Sequence, residues 1–163
     1  MVSQADLEAL AAEAGRRLLE RGDWLATAES CTGGWVAQAV TAIAGSSAWF
    51  DRGFVTYSNA AKEEQLGVPP TTLVRNGAVS EATARSMAQG VLSHSRADWS
   101  LAITGIAGLS GGSAEKFVGT VCFAWAQKDG GCEAQTCRFA GDREAVRAQS
   151  VRHALQGLLE RLA

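Results

Sequence analysis

The chain alternates between segments with apolar residues at helical spacing and short runs of β-branched, aromatic and other apolar residues. Helical spacing, which begins with Leu7, Leu10, Ala14 and Leu18, predicts five helices, at about 3–22, 34–43, 60–66, 81–93 and 142–162. The apolar runs predict strands at 24–28, 53–57, 99–104, 118–127 and 133–139. The Asp-Gly-Gly sequence at 129–131 is typical of a hairpin between the last two strands. This order predicts an α/β fold: a single three-layer α/β/α domain over residues 1–163, with a mixed sheet.

Three polar, glycine-rich segments stand beside these apolar runs. They cover residues 27–34, residues 45–47 together with 57–62, and residues 104–116. In an open α/β sheet, the loops that follow the strands form the ligand crevice, so we expect the three segments to meet there. Their hydroxyls, backbone N–H groups and two lysines suit the binding of a phosphorylated small molecule and attack on an acyl or amide carbon.

Composition and charge argue against several other classes of protein. Of the 163 residues, 47% are hydrophobic, which is enough for a sizeable core. The net charge is −2, so the composition shows no excess of basic residues of the kind that binds nucleic acid. The apolar runs are too short to span a bilayer, and residues 1–6 lack the features of a secretory signal. We therefore expect a cytoplasmic protein with neither a nucleic acid nor a membrane as partner.

The cysteines and histidines do not predict a metal site. The four cysteines show no C-x-x-C spacing, and both histidines fall in predicted helices. In a cytosolic chain, free thiols are the expected state of Cys132 and Cys137, although the two flank a predicted strand.

The first polar segment joins a predicted strand to a predicted helix. Glu29, Ser30 and Thr32 are candidate binding residues, and Gly33 and Gly34 would allow a ligand close to the backbone. The alternative is a capped turn without a ligand, which the spacing alone favours.

The second segment offers a nucleophile and a base. Serine needs a base to remove its proton, and a buried lysine with a lowered pKa can serve. Ser46 and Ser47 would pair with Lys62, and Tyr57 could orient the lysine by a hydrogen bond. The alternatives are a solvated helix face for Lys62 and a half-buried strand aromatic for Tyr57.

The third segment is rich in glycine and directly follows a predicted strand. A long glycine-rich stretch in this place more often touches a ligand than merely turns. Its candidate substrate-binding residues are Thr104, Gly105, Gly108, Gly111, Gly112 and Lys116. Arg143, at the start of the last helix, could reach a phosphate or carboxylate, or could be an exposed helix arginine.

Several motifs together resemble one known family. The segments TAESCTGGWVA, AGSSAWFDRGFVTYSNAAK, ITGIAG and GGSAEK resemble, in order and spacing, the CinA C-terminal family of nicotinamide-nucleotide amidohydrolases. The resemblance implies hydrolysis of the amide of nicotinamide mononucleotide to nicotinate mononucleotide and ammonia, in pyridine nucleotide recycling. It implies the stand-alone form of the domain, no metal or organic cofactor, and a homodimer by family habit.

The resemblance also implies a serine/lysine mechanism. By position, Ser47 would be the nucleophile, Lys62 its base and Tyr57 an orienting group. Ser30 and Thr104 would bind or polarise the substrate and Arg143 would anchor it. Ser30 remains the rival nucleophile.

The chain departs from the family pattern at two positions of the third segment. Leu109 and Phe117 stand where the family usually has proline, so the loop loses two restraints unless both side chains pack inward. We expect the loop still to form and the protein to bind its substrate with lower affinity.

Two other functions remain as alternatives. One is a non-catalytic nucleotide-binding module of the same fold, and the other is an amidase that acts on another small amide.

Overall fold

The computed structural model describes residues 1–108 and 117–163. In chain order its elements are α1 (Gln4–Arg21), β1 (Leu25–Glu29), α2 (Trp35–Thr41), a 3-10 helix (Ser46–Ala48), β2 (Phe50–Val55), α3 (Asn59–Leu66), α4 (Pro70–Asn76), α5 (Glu81–Ser93), β3 (Trp99–Gly105), β4 (Thr120–Gln127), β5 (Cys132–Arg138) and α6 (Arg143–Leu162).

Within residues 1–108 and 117–163, five strands form one mixed sheet in the order β2-β1-β3-β4-β5. β1 pairs in parallel with β2 and β3, whereas β4 pairs antiparallel with β3 and β5. The ends of β1, β2 and β3 therefore lie at one side of the sheet, here called the carboxyl edge, and their starts lie at the amino edge. The expected α/β fold with a mixed sheet is confirmed.

The two faces of the sheet bury side chains of different size. Leu101, Phe123 and Trp125 pack with α1, α2 and α6 on one face. Burying a leucine or phenylalanine side chain contributes about 1.5–3 kcal/mol. On the other face Ala102 and Ala124 pack with α3, α4 and α5. Because these side chains are small, α5 lies close to the sheet, and Ser100 Oγ donates a hydrogen bond to the Ala88 carbonyl at 2.8 Å.

Helix caps stand at several boundaries that the sequence predicts. Ser3 forms a capping box with Asp6 at the start of α1, and Gly22 ends that helix with a φ of 72°. Asp142 caps α6 by accepting a hydrogen bond from the Ala145 N–H at 2.8 Å.

Two local predictions are wrong. β2 covers Phe50–Val55 rather than 53–57, because it is an edge strand whose half-exposed residues give no clear pattern. The helical spacing predicts no helix where α4 lies, between the predicted helices at 60–66 and 81–93. Pro70 instead begins α4, at the first helical position, where its missing N–H removes no helical hydrogen bond.

The cysteine prediction is confirmed, since Cys132 and Cys137 are both free thiols. Cys137 packs towards the large-residue face and Cys132 towards the small-residue face of β5, so the two side chains cannot meet. Within the described residues, no helix has both the length and the apolar character needed to cross a bilayer.

Candidate active site

Backbone hydrogen bonds continue the parallel pairing just beyond the carboxyl edge of the sheet. The Ser30 N–H donates to the Ile103 carbonyl at 3.0 Å, and the Thr56 N–H donates to the Glu29 carbonyl at 2.9 Å. These bonds tie the segment after β1 to β3 and the segment after β2 to β1. Residues that are far apart in sequence therefore meet at fixed positions.

Lys62 extends from α3 into this junction. Ser58 caps α3 by accepting a hydrogen bond from the Ala61 N–H at 3.0 Å, which fixes the first turn of the helix. Lys62 Nζ donates to Ser30 Oγ at 3.1 Å and to the Thr56 carbonyl at 2.9 Å. The lysine is only 1% exposed, and no ion pair to it is found in residues 1–108 and 117–163.

Burial lowers the pKa of Lys62 below its ordinary value of 10.5, because the charged ammonium loses its hydration. A neutral amine has a lone pair that can accept the proton of the Ser30 hydroxyl. The neighbouring thiol of Cys31 behaves differently, since burial raises its pKa to about 12 and keeps it protonated. Of the two adjacent groups, the serine is therefore the one with a base.

A cavity of about 260 Å³ opens over the Ser30–Lys62 pair. It is lined by Ser30, Cys31, Tyr57, Asn59, Lys62, Ala78, Val79, Thr104, Gly105, Ile106, Ala107 and Arg143. Its lining mixes small apolar side chains with hydroxyl, amide and cationic groups, which is the usual make-up of a small-molecule site.

The rim of the cavity carries an arginine and a tyrosine. Arg143 Nη2 donates to the Tyr57 hydroxyl at 3.0 Å, and the tyrosine is 62% exposed. A Cβ added to Gly108 would lie 2.5 Å from Arg143 Nη1, so the glycine leaves room for the guanidinium. The arginine is thus held over the cavity, where it can reach an anionic group on a ligand.

Thr104 and Gly105 form the floor at the end of β3. Thr104 Oγ1 donates to the Ala78 carbonyl at 2.8 Å and thereby holds the segment that precedes α5. A Cβ on Gly105 would approach Val121 Cγ2 to 2.8 Å, so packing against β4 alone already requires glycine there.

The family model of the CinA C-terminal domain matches the sequence over residues 7–162, which is nearly the whole chain. The chain belongs to the CinA C-terminal domain family.

Relatives of this family cover the chain at high identity. The nicotinamide-nucleotide amidohydrolase PncC of Enterobacter agglomerans is 55% identical over 97% of this chain and 96% of its own length. The enzyme of the same name from Escherichia coli K12 is 53% identical over 96% of this chain and 95% of its own length. A CinA-like protein of Geobacter sulfurreducens is 50% identical, and the match covers 35% of that longer protein.

Solved structures of the family have the same fold. The competence/damage inducible protein CihA of Agrobacterium tumefaciens has a TM-score of 0.93 at 48% identity and covers 95% of this chain. A CinA superfamily protein of Klebsiella pneumoniae has a TM-score of 0.92 at 46% identity and covers 96%. In both cases the match includes more than nine tenths of the solved chain.

Two residues expected to bind substrate are instead internal supports of the turn after β1. Glu29 is 1% exposed, and its carboxylate accepts hydrogen bonds from Thr32 Oγ1 at 2.6 Å and from the N–H groups of Val36 and Ala37 at 2.8 and 3.1 Å. Thr32 is fully buried by the same arrangement. Neither Glu29 nor Thr32 lines the cavity at Ser30.

Gly33 and Gly34 also lie away from the cavity. Both adopt left-handed backbone conformations, with φ of 61° and 105°, which glycine tolerates without strain. They line a separate shallow depression beside Arg147. Gly33 and Gly34 therefore do not line the cavity at Ser30.

Ser46 and Ser47 lie at the amino edge rather than beside Lys62. They belong to the 3-10 helix that precedes β2. Directly after this helix, the Trp49 carbonyl accepts a hydrogen bond from the Leu25 N–H at the start of β1. β2 separates this helix from the residues that follow the strand, and its six residues span about 17–20 Å. The structure therefore does not bring Ser47 to Lys62, and Ser30 lies beside the lysine instead.

Four residues of the third segment, Leu109, Gly111, Gly112 and Lys116, lie outside the described residues. Phe117 is 49% exposed and stacks beneath the Arg138 guanidinium, 4.0 Å from its ring centroid, so it does not pack inward.

Sequence reasoning missed several residues that the fold brings to the site. Thr56 contributes only a backbone carbonyl, which no side-chain pattern reveals, and Ala78 and Val79 come from the segment before α5. The sequence gives only an indirect signal for Ala78 and Val79, since they stand shortly before the predicted helix at 81–93.

Proposed function

We propose that this protein hydrolyses the carboxamide of nicotinamide mononucleotide, with Ser30 as nucleophile and Lys62 as its base. The observation that carries the proposal is the buried hydrogen bond of 3.1 Å between Lys62 Nζ and Ser30 Oγ at a cavity. The relatives named nicotinamide-nucleotide amidohydrolase, which match nearly the whole chain, support this choice of substrate.

The first half of the reaction forms an ester. Neutral Lys62 accepts the Ser30 hydroxyl proton while Oγ attacks the carboxamide carbon, giving a tetrahedral oxyanion. The lysine then returns the proton to the leaving nitrogen. Ammonia departs, and the nicotinate nucleotide remains bound to Ser30 as an acyl ester.

The second half uses water and the same base. Lys62 accepts a proton from water, the resulting hydroxide attacks the ester carbon, and the proton returns to Ser30 Oγ as nicotinate mononucleotide leaves. The Thr56 carbonyl keeps Nζ aimed at the serine throughout, because it accepts a hydrogen bond from the lysine in both protonation states.

The rim supplies the other requirements of the reaction. Arg143, held by Tyr57, would bind the phosphate of the nucleotide by a charge-assisted hydrogen bond. Backbone N–H groups next to the nucleophile would stabilise the oxyanion. That of Cys31 is a candidate, because no carbonyl acceptor for it is found among the described residues. Removing one such donor in known hydrolases costs about 2.7–4 kcal/mol of transition-state stabilisation.

The test is ammonia release by the purified protein from three amides: nicotinamide mononucleotide, nicotinamide riboside and nicotinamide. We expect the nucleotide to be the best substrate, because only it offers a phosphate to Arg143. Lys128→Met, at an exposed lysine in the β4–β5 turn, is the matched control for Lys62→Met.

Each result has a defined meaning. Turnover of the nucleotide that Lys62→Met abolishes and Lys128→Met preserves supports the proposal. Nucleotide binding without ammonia release by the folded protein would favour a non-catalytic binding module, and release only from another amide would place the same mechanism on a different substrate.

A further inference from the structure

A side chain of α6 that lies outside the cavity donates hydrogen bonds to the turn that follows Ser30. Arg147 Nε donates to the Cys31 carbonyl at 3.0 Å, and Arg147 Nη2 donates to the Thr32 carbonyl at 3.1 Å. The arginine is 116 and 115 residues away in sequence from its two acceptors. The planar guanidinium has donors in a fixed fork, so it holds two neighbouring carbonyls in one geometry.

These two contacts orient the backbone directly after the serine. The C=O and N–H of a trans peptide point in opposite directions, so fixing the carbonyls of Cys31 and Thr32 fixes two consecutive peptide planes. The Gly33 N–H donates to the Ser30 carbonyl at 3.0 Å, and the Trp35 N–H donates to the Thr32 carbonyl at 3.1 Å. Arg147 thus completes a hydrogen-bonded turn that begins at Ser30.

The turn needs such an anchor because it ends in two glycines. Gly33 and Gly34 both have positive φ, and glycine has more accessible backbone conformations than other residues. The buried Glu29 carboxylate supports the turn from the sheet side, through Thr32 Oγ1 and the start of α2. Arg147 supplies a second contact to the turn, from α6.

Arg147 lies outside the cavity that is proposed to hold the substrate. It is not among the residues that line the cavity at Ser30, whereas Arg143, one helical turn earlier on α6, is. Its guanidinium lies 5.5 Å from the Trp35 ring centroid, and no carboxylate partner for it is found in the described part of the chain. Its donors are therefore directed at the turn.

We propose that Arg147 is a positioning residue for the nucleophile: it holds the 30–34 turn so that Ser30 Oγ stays within reach of Lys62 and of the scissile carbon. The proposal rests on the proposed function, in which Ser30 attacks the amide. In this role Arg147 affects the rate of the chemical step and leaves substrate binding almost unchanged.

The experiment compares Arg147→Gln and Arg147→Lys with the wild-type protein and with Arg152→Gln, an exposed arginine on the same helix. Two measurements are made. One gives kcat and KM for ammonia release from nicotinamide mononucleotide. The other gives the rate at which a fluorophosphonate labels Ser30, with loss of fluoride, followed by intact mass.

We expect Arg147→Gln to lower kcat by about 10–100-fold, since displacing a reacting group by about 1 Å costs about that much, and to change KM by less than about threefold. Labelling of Ser30 should slow in parallel. Arg147→Lys, which keeps the charge but loses the fork, should be intermediate, and Arg152→Gln should match the wild type. If Arg147→Gln does not fold, the lysine variant still tests the proposal.

Two results would overturn the inference. One is a raised KM at unchanged kcat, which would make Arg147 a substrate-binding residue. The other is unchanged kcat and unchanged labelling in both variants. Failure of the proposed function has a different signature: the wild type is labelled at Ser30 but releases no ammonia from the nucleotide. In that case slower labelling of the Arg147 variants still supports positioning, and equal labelling overturns it.

Discussion

Ser30 and Ser47 each lie beside a strand of the parallel part of the sheet, yet at opposite edges. Ser30 follows β1 at the carboxyl edge, is 7% exposed and accepts a hydrogen bond from Lys62. Ser47 precedes β2 at the amino edge and is exposed. The two serines have the same chemistry, so their difference comes from strand direction, which brings Ser30 and not Ser47 to the lysine.

The two edges also differ in the free-energy cost of the groups that they bury. At the amino edge, buried Trp49 is an ordinary apolar core residue. At the carboxyl edge, a lysine is buried with a serine hydroxyl and a carbonyl as its hydrogen-bond partners, which is unfavourable for its charged form. Such a cost is common at sites where activity is favoured over stability.

The largest expected effect separates the two serines. Ser30→Ala should lower kcat for ammonia release by roughly 10⁴-fold or more, because it removes the nucleophile. Ser47→Ala should retain activity within about twofold, since its exposed hydroxyl is remote from the cavity. Steady-state kinetics of both variants, with folding checked by circular dichroism, makes the comparison. Loss in Ser47→Ala with an active Ser30→Ala would reverse it.

Replacing the buried lysine should separate activity from stability. Lys62→Met should abolish turnover, because no other base contacts Ser30 among the described residues, and should raise Tm, because a desolvated amine is removed. Each kcal/mol gained corresponds to about 2–4 °C for a domain of this size. Lys128→Met should change neither quantity. A lower Tm for Lys62→Met would mean that its two hydrogen bonds outweigh the cost of burial.

The pH dependence follows from the lowered pKa of Lys62. Turnover requires the neutral amine, so kcat/KM should rise with pH through that lowered pKa and then level off. Stability has a related dependence: the penalty of burying the charged amine is complete below the lowered pKa and disappears as pH approaches 10.5, the ordinary value. The Tm difference between Lys62→Met and wild type should therefore shrink as pH rises. A pH-independent difference would contradict this assignment.

Glu29 tests how far the carboxyl edge depends on its internal support. Glu29→Gln places an amide NH₂ against donors that the carboxylate accepts from, so we expect a loss of about 1–3 kcal/mol in the free energy of unfolding. Chemical denaturation measures this loss. Glu64→Gln, on the exposed surface of α3, is the control and should be neutral. Equal stability of the two variants would show that the buried carboxylate is dispensable.

The smallest expected effect is at the rim. Tyr57→Phe removes the acceptor that holds Arg143, and the tyrosine is mostly exposed, so we expect KM to rise by about three- to tenfold at nearly constant kcat. Initial rates over a range of nucleotide concentrations give both KM and kcat for the variant and the wild type. A large fall in kcat would instead make Tyr57 part of the proton transfer.

Local signals in the sequence determined much of this protein. The α/β class, the hairpin at Asp129, the helix caps at Ser3 and Asp142 and the prediction of Lys62 as a candidate base all rest on residues close together in the chain. The motifs that resemble the CinA C-terminal family were likewise readable in order along the chain, and the family is confirmed. Periodicity, turn chemistry and motif spacing carry such information because each depends on near neighbours.

Tertiary structure alone decided which groups meet. The Ser30–Lys62 contact joins residues 32 apart and depends on the parallel pairing of β1 with β2, and the Arg147 contacts join residues more than a hundred apart. Glu29 has the sequence character of a ligand-binding carboxylate, yet three donors from the turn and α2 enclose it. A sequence shows which side chains are available, but strand order and direction determine which edge of the sheet each one reaches, and therefore which serine lies beside the base.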